Sequence, residues 1–213
     1  ALSADDSDSE ASENVRIDMA LYAPNWIAEQ MPYVAMLEAA YIFSSYEHMR
    51  AAYRSEPGKK LFRNVSQVVG WRPLASFYLG SRALTVTDDA GPINSPADME
   101  NVNLYATESP DSIALARALG AHPTVPESGA PYDALRNGEV QAYECLVSTS
   151  VVSRLYEVSE YMVMTDHIFH SIWPCVREAT WESLQEEDRQ LILEAMEFAR
   201  SYNDEQQRQK ESR

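Results

Sequence analysis

The sequence is poor in the features that mark several common protein classes. Its seven glycines and 11 prolines among 213 residues are too few for a fibrous or low-complexity chain. No apolar stretch approaches the roughly 20 residues that a membrane-spanning helix needs. No basic segment followed by an apolar one stands at the front, so we expect any export signal to be absent from this chain. With 45% hydrophobic residues, the sequence predicts a soluble chain with a sizeable core.

Cysteines and catalytic motifs are also scarce. Cys145 and Cys175 are too few for a disulfide framework and lack the close spacing of a zinc site. His167 and His170 could bind a metal with Asp166, but residues three apart in a strand point to opposite faces. A nucleophilic cysteine needs an activating base, and no glycine-rich phosphate loop, G-x-S-x-G or H-E-x-x-H motif is present. We therefore expect no enzyme activity, no metal and no cofactor.

Basic residues are few relative to acidic ones. The chain has 17 Lys and Arg against 33 Asp and Glu, which gives a formal net charge of -16. The first thirteen residues hold five of the acids, so most of the acidic excess is spread over the rest of the chain. Nucleic-acid binding relies on clustered Lys and Arg, so we expect no nucleic-acid partner.

The first half of the sequence predicts strands and helices in alternation. Residues 17–23 read as a strand that Pro24 ends, followed by a loop. Residues 34–43 are ambiguous: the alanine-rich start could be helix, whereas 40–43 favours strand. Helical spacing of apolar residues then runs from Tyr46 towards Gly70, with an interruption at Gly58. Residues 72–86 favour one or two strands with a bend near Gly80 and Arg82.

The second half continues this alternation. A strand at 102–106 precedes a helix that Ser109 can cap and Gly120 can close, and the same pattern recurs at 131–138 before a strand at 140–147. This β-α-β order favours a parallel sheet and an α/β fold. We expect helical spacing at 148–156, a long strand at 161–176 interrupted around Pro174, and a terminal helix that a Ser183-x-x-Glu186 capping box begins.

Nine short stretches resemble one family in the order in which that family has them: Ile17-Asp18-Met19-Ala20, Tyr46-Glu47-His48-Met49, Gly80-Ser81-Arg82, Ser95-Pro96-Ala97-Asp98, Ala118-Leu119-Gly120-Ala121-His122-Pro123, Tyr132-x-Ala134-Leu135-x-x-Gly138, Leu155-Tyr156-Glu157-Val158, Thr165-x-His167 and Trp181-Glu182-Ser183-Leu184. The chain resembles the periplasmic solute-binding proteins of the TRAP transporters, the tripartite ATP-independent importers of organic acids. The resemblance runs nearly end to end.

This resemblance implies a periplasmic-binding-protein-like fold of two α/β lobes, with mixed or parallel sheets, that enclose a small organic solute and deliver it to membrane subunits in the periplasm. The first lobe would comprise residues 15–72 and 152–213 and be incomplete, because relatives begin with further elements and continue past the last helix. Residues 73–151 would form the second lobe, and residues 1–14 a flexible acidic start.

The resemblance also implies ligand-binding residues and shows where the chain departs from the family. Arg82 stands where the family keeps an arginine that meets ligand carboxylates. Tyr105 replaces the family's principal arginine clamp, and Cys145 replaces an amide beside a retained Glu144. The full predicted set is Trp26, Arg82, Tyr105, Glu108, Tyr143, Glu144 and Cys145.

These departures favour a less acidic solute, hydroxylated, aromatic or even cationic, over an ordinary dicarboxylate. Loss of the arginine clamp would weaken carboxylate binding by roughly 30-fold or more. The alternative is a degenerate lobe that binds no solute and acts as a protein-interaction module or is a gene fragment.

Overall fold

The computed structural model describes residues 17–211, and the predicted acidic start, residues 1–14, lies outside them. The strands are β1 (Met19–Tyr22), β2 (Trp71–Pro73), β3 (Phe77–Val86), β4 (Asn103–Tyr105), β5 (His122–Thr124), β6 (Ala142–Leu146), β7 (Tyr161–Val163) and β8 (Phe169–Arg177). The α-helices are α1 (Pro24–Ala28), α2 (Tyr46–Arg54), α3 (Glu56–Val69), α4 (Pro110–Ala118), α5 (Pro131–Arg136), α6 (Val147–Val152), α7 (Glu178–Ser183) and α8 (Glu186–Glu211).

The described residues form two compact units. The first unit contains the residues up to Glu38, then Arg50–Tyr78 and Ser171–Glu205. The second contains Ala39–Met49, Leu79–His170 and the residues from Gln206 onward. The chain passes from one unit to the other after Glu38 and within α2, β3, β8 and α8.

In the first unit, β8 pairs antiparallel with both β1 and β2. Trp173 of β8 is completely buried and packs against Phe62 of α3, with ring centroids 5.0 Å apart. Pro174 does not interrupt this strand as the sequence led us to expect, since its carbonyl still accepts a hydrogen bond from the Leu74 amide at 2.8 Å. The break in the predicted long strand lies instead between β7 and β8, at residues 164–168.

The second unit contains a mixed sheet rather than a parallel one. β4 runs parallel to β5 and β6, as the β-α-β pattern predicts, whereas β3 runs antiparallel to β6 and β7. Apolar residues on one face of this sheet, including Leu84, Val86 and Leu104, pack with Met99 and Ala116. A second apolar cluster, which includes Cys145 and Leu155, covers the other face of the sheet.

Three local predictions are wrong. Pro24 occupies the first turn of α1, so Trp26 lies on a short helix and not in a loop. Residues 40–43 form no strand: Tyr41 has a φ of 62°, and its amide donates to the His167 carbonyl at 2.6 Å. Ser183 ends α7 and donates to the Thr180 carbonyl, so it does not cap α8.

In the first unit, side chains of α8 bind the start of β3. Asp204, only 2% exposed, accepts a hydrogen bond from the Tyr78 amide at 2.9 Å, and Asn203 donates to the Tyr78 carbonyl at 2.7 Å. Asp204 also pairs with Arg200 at 2.7 Å and lies 3.6 Å from Arg50. This buried ionic cluster holds the end of a helix against the backbone of a strand.

Candidate functional site

Arg82 and Glu144 are brought together on one face of the sheet in the second unit. Arg82 lies opposite Leu146 and Leu84 lies opposite Glu144, so the register of β3 and β6 places both charged side chains on the same side. The guanidinium donates from Nε to Oε1 of Glu144 and from Nη2 to Oε2 at 2.6 Å. Burial lowers the pKa of Arg82, but the bonds and charge of Glu144 outweigh this and raise it overall.

His167 and Thr165 extend this pair into a network. His167 is completely buried, and its Nε2 lies 3.1 Å from Glu144 Oε1. The His167 Nδ1 lies 2.7 Å from the Thr165 hydroxyl, which also donates to the Arg82 carbonyl at 3.3 Å. Burial raises the pKa of Glu144, but His167 and Arg82 lower it overall.

The charges in this network compensate each other. Arg82 donates through two of its nitrogens to a carboxylate that is itself 8% exposed. His170 adds no charge at neutral pH, because burial and the nearby Arg82 lower its pKa to about 4. An anion approaching Arg82 therefore meets a guanidinium whose positive charge is largely balanced by Glu144.

Tyr105, Tyr143 and Cys145 lie on the opposite face of the same sheet. Tyr143 and Cys145 are paired with Thr85 and Ala83 of β3, which point away from Arg82. The rings of Tyr105 and Tyr143 meet edge to face with centroids 5.0 Å apart. Cys145 is only 3% exposed, and burial raises the pKa of its thiol to about 11. Five of the predicted ligand residues, all in this unit, thus form two groups, one on each face.

The two remaining predicted residues are placed elsewhere. Glu108 is exposed in the connection between β4 and α4. Trp26 lies in the first unit, where it is 41% exposed and its ring meets Tyr22 edge to face with centroids 6.3 Å apart. Ligand contact at either residue stays a prediction.

Our sequence reasoning missed His167 and Thr165 as members of the network around Arg82 and Glu144. The Thr165-x-His167 tripeptide was visible, but nothing in it indicates that a residue more than twenty positions away supplies the carboxylate partner. Within residues 17–211, no group of three or more His, Cys, Asp or Glu side chains is arranged to hold a metal ion. The arrangement can orient a guanidinium and present phenol oxygens to a ligand, both of which are binding functions.

Comparison with known proteins identifies the family. The whole chain, residues 1–213, matches the family described as bacterial extracellular solute-binding protein, family 7. The chain belongs to this family. Members of family 7 are solute-binding proteins and not enzymes, and those of the TRAP transporters partner with membrane subunits.

Among curated proteins, the solute-binding protein RD1_1052 of Roseobacter denitrificans is 29% identical over 178 residues, which cover 84% of this chain and 53% of that protein. The sialic acid-binding periplasmic protein SiaP of Vibrio cholerae is 28% identical over 178 residues, covering 84% of this chain and 52% of SiaP. The chain thus spans about half the length of the curated relatives that it matches.

A solved structure confirms the predicted fold class, an α/β periplasmic-binding-protein fold with a mixed sheet. The TRAP periplasmic solute-binding protein of Roseobacter denitrificans with bound 3-deoxy-D-manno-oct-2-ulosonic acid aligns with a TM-score of 0.80 and 26% identity. The alignment covers 92% of this chain and 65% of that structure. In the described part of this chain, none of the helices has the length and apolar character needed to cross a membrane.

Proposed function

We propose that this chain is the solute-capturing component of a TRAP-type secondary transporter, working in the periplasm and handing its solute to membrane subunits. The observation that carries the proposal is the buried Arg82–Glu144–His167 network in a member of family 7. Burying an ion pair contributes little net stability, because desolvation offsets most of the attraction. A buried ionic network that adds so little stability is typical of a functional site.

The proposed role is binding and not catalysis. Arg82 remains 27% exposed at its side chain, so part of the guanidinium can still meet a solute while Glu144 fixes its orientation. Tyr105, Tyr143 and Cys145 would line the opposite face of the sheet, and Glu108 and Trp26 would add contacts. The solute we propose is a small organic molecule that is less acidic than a dicarboxylate.

A degenerate protein-interaction module is the second candidate function. Two observations support it: Glu144 already balances the charge of Arg82, and Cys145 is buried in an apolar cluster. Few polar groups therefore remain open to a ligand. A module of this kind would dock on another chain without holding any solute.

Thermal unfolding in the presence of candidate solutes separates the two functions. Sugar acids, neutral sugars, keto acids, amino acids and betaines would each be added at millimolar concentration. A solute at about 100 times its Kd stabilises by about 2.7 kcal/mol, which is a rise of roughly 5–10 °C in Tm for a chain of this size. The transport proposal expects at least one such rise, and no rise with any solute favours the interaction module.

A matched pair of variants tests the role of Arg82. Arg82→Ala should abolish the solute-induced rise in Tm, measured against the variant's own Tm without solute. Arg136→Ala, which removes an exposed arginine of the same unit paired with Asp133, should leave the rise intact. A rise that persists fully in Arg82→Ala would remove Arg82 from the binding site.

A further inference from the structure

The paired tyrosines of the second unit differ in how their hydroxyl groups are used. Tyr105 donates its phenol proton to the Gly129 carbonyl at 2.7 Å. A phenol has one proton, so the Tyr105 oxygen can offer only lone pairs to any further partner. At this position the protein therefore presents a hydrogen-bond acceptor.

Tyr143 supplies the complementary group. Its hydroxyl makes no hydrogen bond with any residue in the described range 17–211, and its ring is in edge contact with Tyr105. Burial raises the pKa of Tyr143 to about 12, so the phenol stays neutral and keeps its proton throughout the physiological pH range. Tyr143 can thus donate one hydrogen bond, and its ring adjoins that of Tyr105.

A ligand hydroxyl matches this combination, because a hydroxyl both donates and accepts. A carboxylate does not, since it has no proton to give to Tyr105. Nearby Cys145 is a neutral buried thiol, and Arg82 lies on the opposite face with its charge balanced by Glu144. None of these groups would offset the desolvation of an anion.

From this geometry we infer that the Tyr105–Tyr143 pair selects a neutral, hydroxylated part of the solute, of the sugar or polyol type, and rejects a carboxylate there. The inference rests on the proposed solute-binding function and narrows its ligand class. Tyr105 is the residue that determines the preference, since the hydrogen bond to Gly129 turns its oxygen into an acceptor.

Calorimetric binding to matched sugars tests this inference. D-galactose and D-galacturonate differ only at one carbon, CH2OH against carboxylate, and D-glucose and D-glucuronate form a second such pair. Wild-type protein should bind each neutral sugar at least as tightly as its uronate. Tyr105→Phe should weaken the neutral sugar about threefold to tenfold, the size of one neutral hydrogen bond. Tyr105→Arg should shift the ratio at least about tenfold towards the uronate.

Tyr132→Phe is the matched control. Tyr132 packs in the same cluster, but its hydroxyl is paired with Glu157 at 3.1 Å, so the neutral-to-uronate ratio should stay within about twofold of wild type. A packing role for Tyr105 would lower the Tm of Tyr105→Phe without changing that ratio, and this result would overturn the inference.

The other outcomes separate the inference from the proposed function. The inference about the tyrosines is wrong if the wild type prefers uronates by about tenfold or more, or if it binds only solutes without hydroxyl groups. Either result is still compatible with the proposed solute-binding function. Failure of the wild type to bind any solute in the wider thermal screen overturns both.

Discussion

Replacing Asp204 with alanine would break the buried ionic cluster of the first unit. The substitution removes the acceptor of the Tyr78 amide and the partner of Arg200 at 2.7 Å, and it takes a negative charge away from Arg50 at 3.6 Å. Asp204 is 2% exposed, so water would not replace these bonds easily. The start of β3 would then lose a direct link to α8.

The expected loss of stability follows from the partners that remain. Breaking a buried pair by removing one member costs about 3–5 kcal/mol. In the variant, Arg200 would still pair with Glu197 at 2.7 Å, and Arg50 would still donate a hydrogen bond to the Ser76 carbonyl at 3.1 Å. Both buried guanidinium groups would therefore retain a polar partner. We therefore expect a loss near the lower end, about 3 kcal/mol, which lowers the Tm by roughly 6–12 °C.

Urea unfolding followed by circular dichroism would measure this loss. Asp204→Asn keeps an acceptor for the Tyr78 amide but removes the charge, so it should lose about half as much as Asp204→Ala. Glu186→Ala serves as the control, because Glu186 pairs with Arg189 on the same helix while 84% exposed and should change stability by less than about 0.5 kcal/mol.

The reasoning would be refuted if Asp204→Ala unfolded at the same urea concentration as the Glu186→Ala control. That result would mean that the cluster does not couple α8 to β3. Equal losses in Asp204→Asn and Asp204→Ala would show instead that the charge, and not the bond to Tyr78, carries the effect.

Three further predictions concern Glu144, Gly58 and the two cysteines. Burial raises the pKa of Glu144 but His167 and Arg82 lower it overall, so the stabilising contribution of this carboxylate is complete above its ordinary pKa of about 4.3 and is lost as pH falls through the lowered pKa; the free energy of unfolding in urea should decrease less between pH 7 and pH 3 for Glu144→Gln than for wild type. Gly58→Ala should destabilise by about 2 kcal/mol despite alanine's higher helix propensity, because its Cβ would lie 2.6 Å from the Tyr53 carbonyl oxygen, and a melting temperature above wild type would contradict this. Burial raises the pKa of both Cys145 and Cys175, so neither should react with a thiol reagent at pH 8 until urea unfolds the chain.

Local chemistry allowed much of the secondary structure to be predicted. The helices beginning at Pro110 and Pro131 are present, although Ser109 makes no capping hydrogen bond through its side chain. Gly70 ends α3 with a φ of 74°, a conformation that glycine adopts without steric penalty. These features depend on residues a few positions apart, which is why the sequence reveals them.

The failures share a different cause. Residues 40–43 have strand-favouring side chains, yet the amide of Tyr41 donates to the carbonyl of His167, far along the chain. Pro174 looks like a strand breaker, yet β8 continues through it because Leu74 bonds to its carbonyl. In both places a distant partner decides the conformation, and intrinsic preference does not reveal that partner.

The sequence by itself determined the family, the α/β class and the residue types at the candidate site, including the tyrosine at position 105 and the arginine at position 82. Only the tertiary structure decided how these groups are used. Strand register places Arg82 beside Glu144, 62 residues away, and a loop carbonyl 24 residues from Tyr105 accepts the hydrogen bond that its phenol donates. Charge compensation and hydrogen-bond polarity are properties of neighbours in space, so they are fixed when the chain folds.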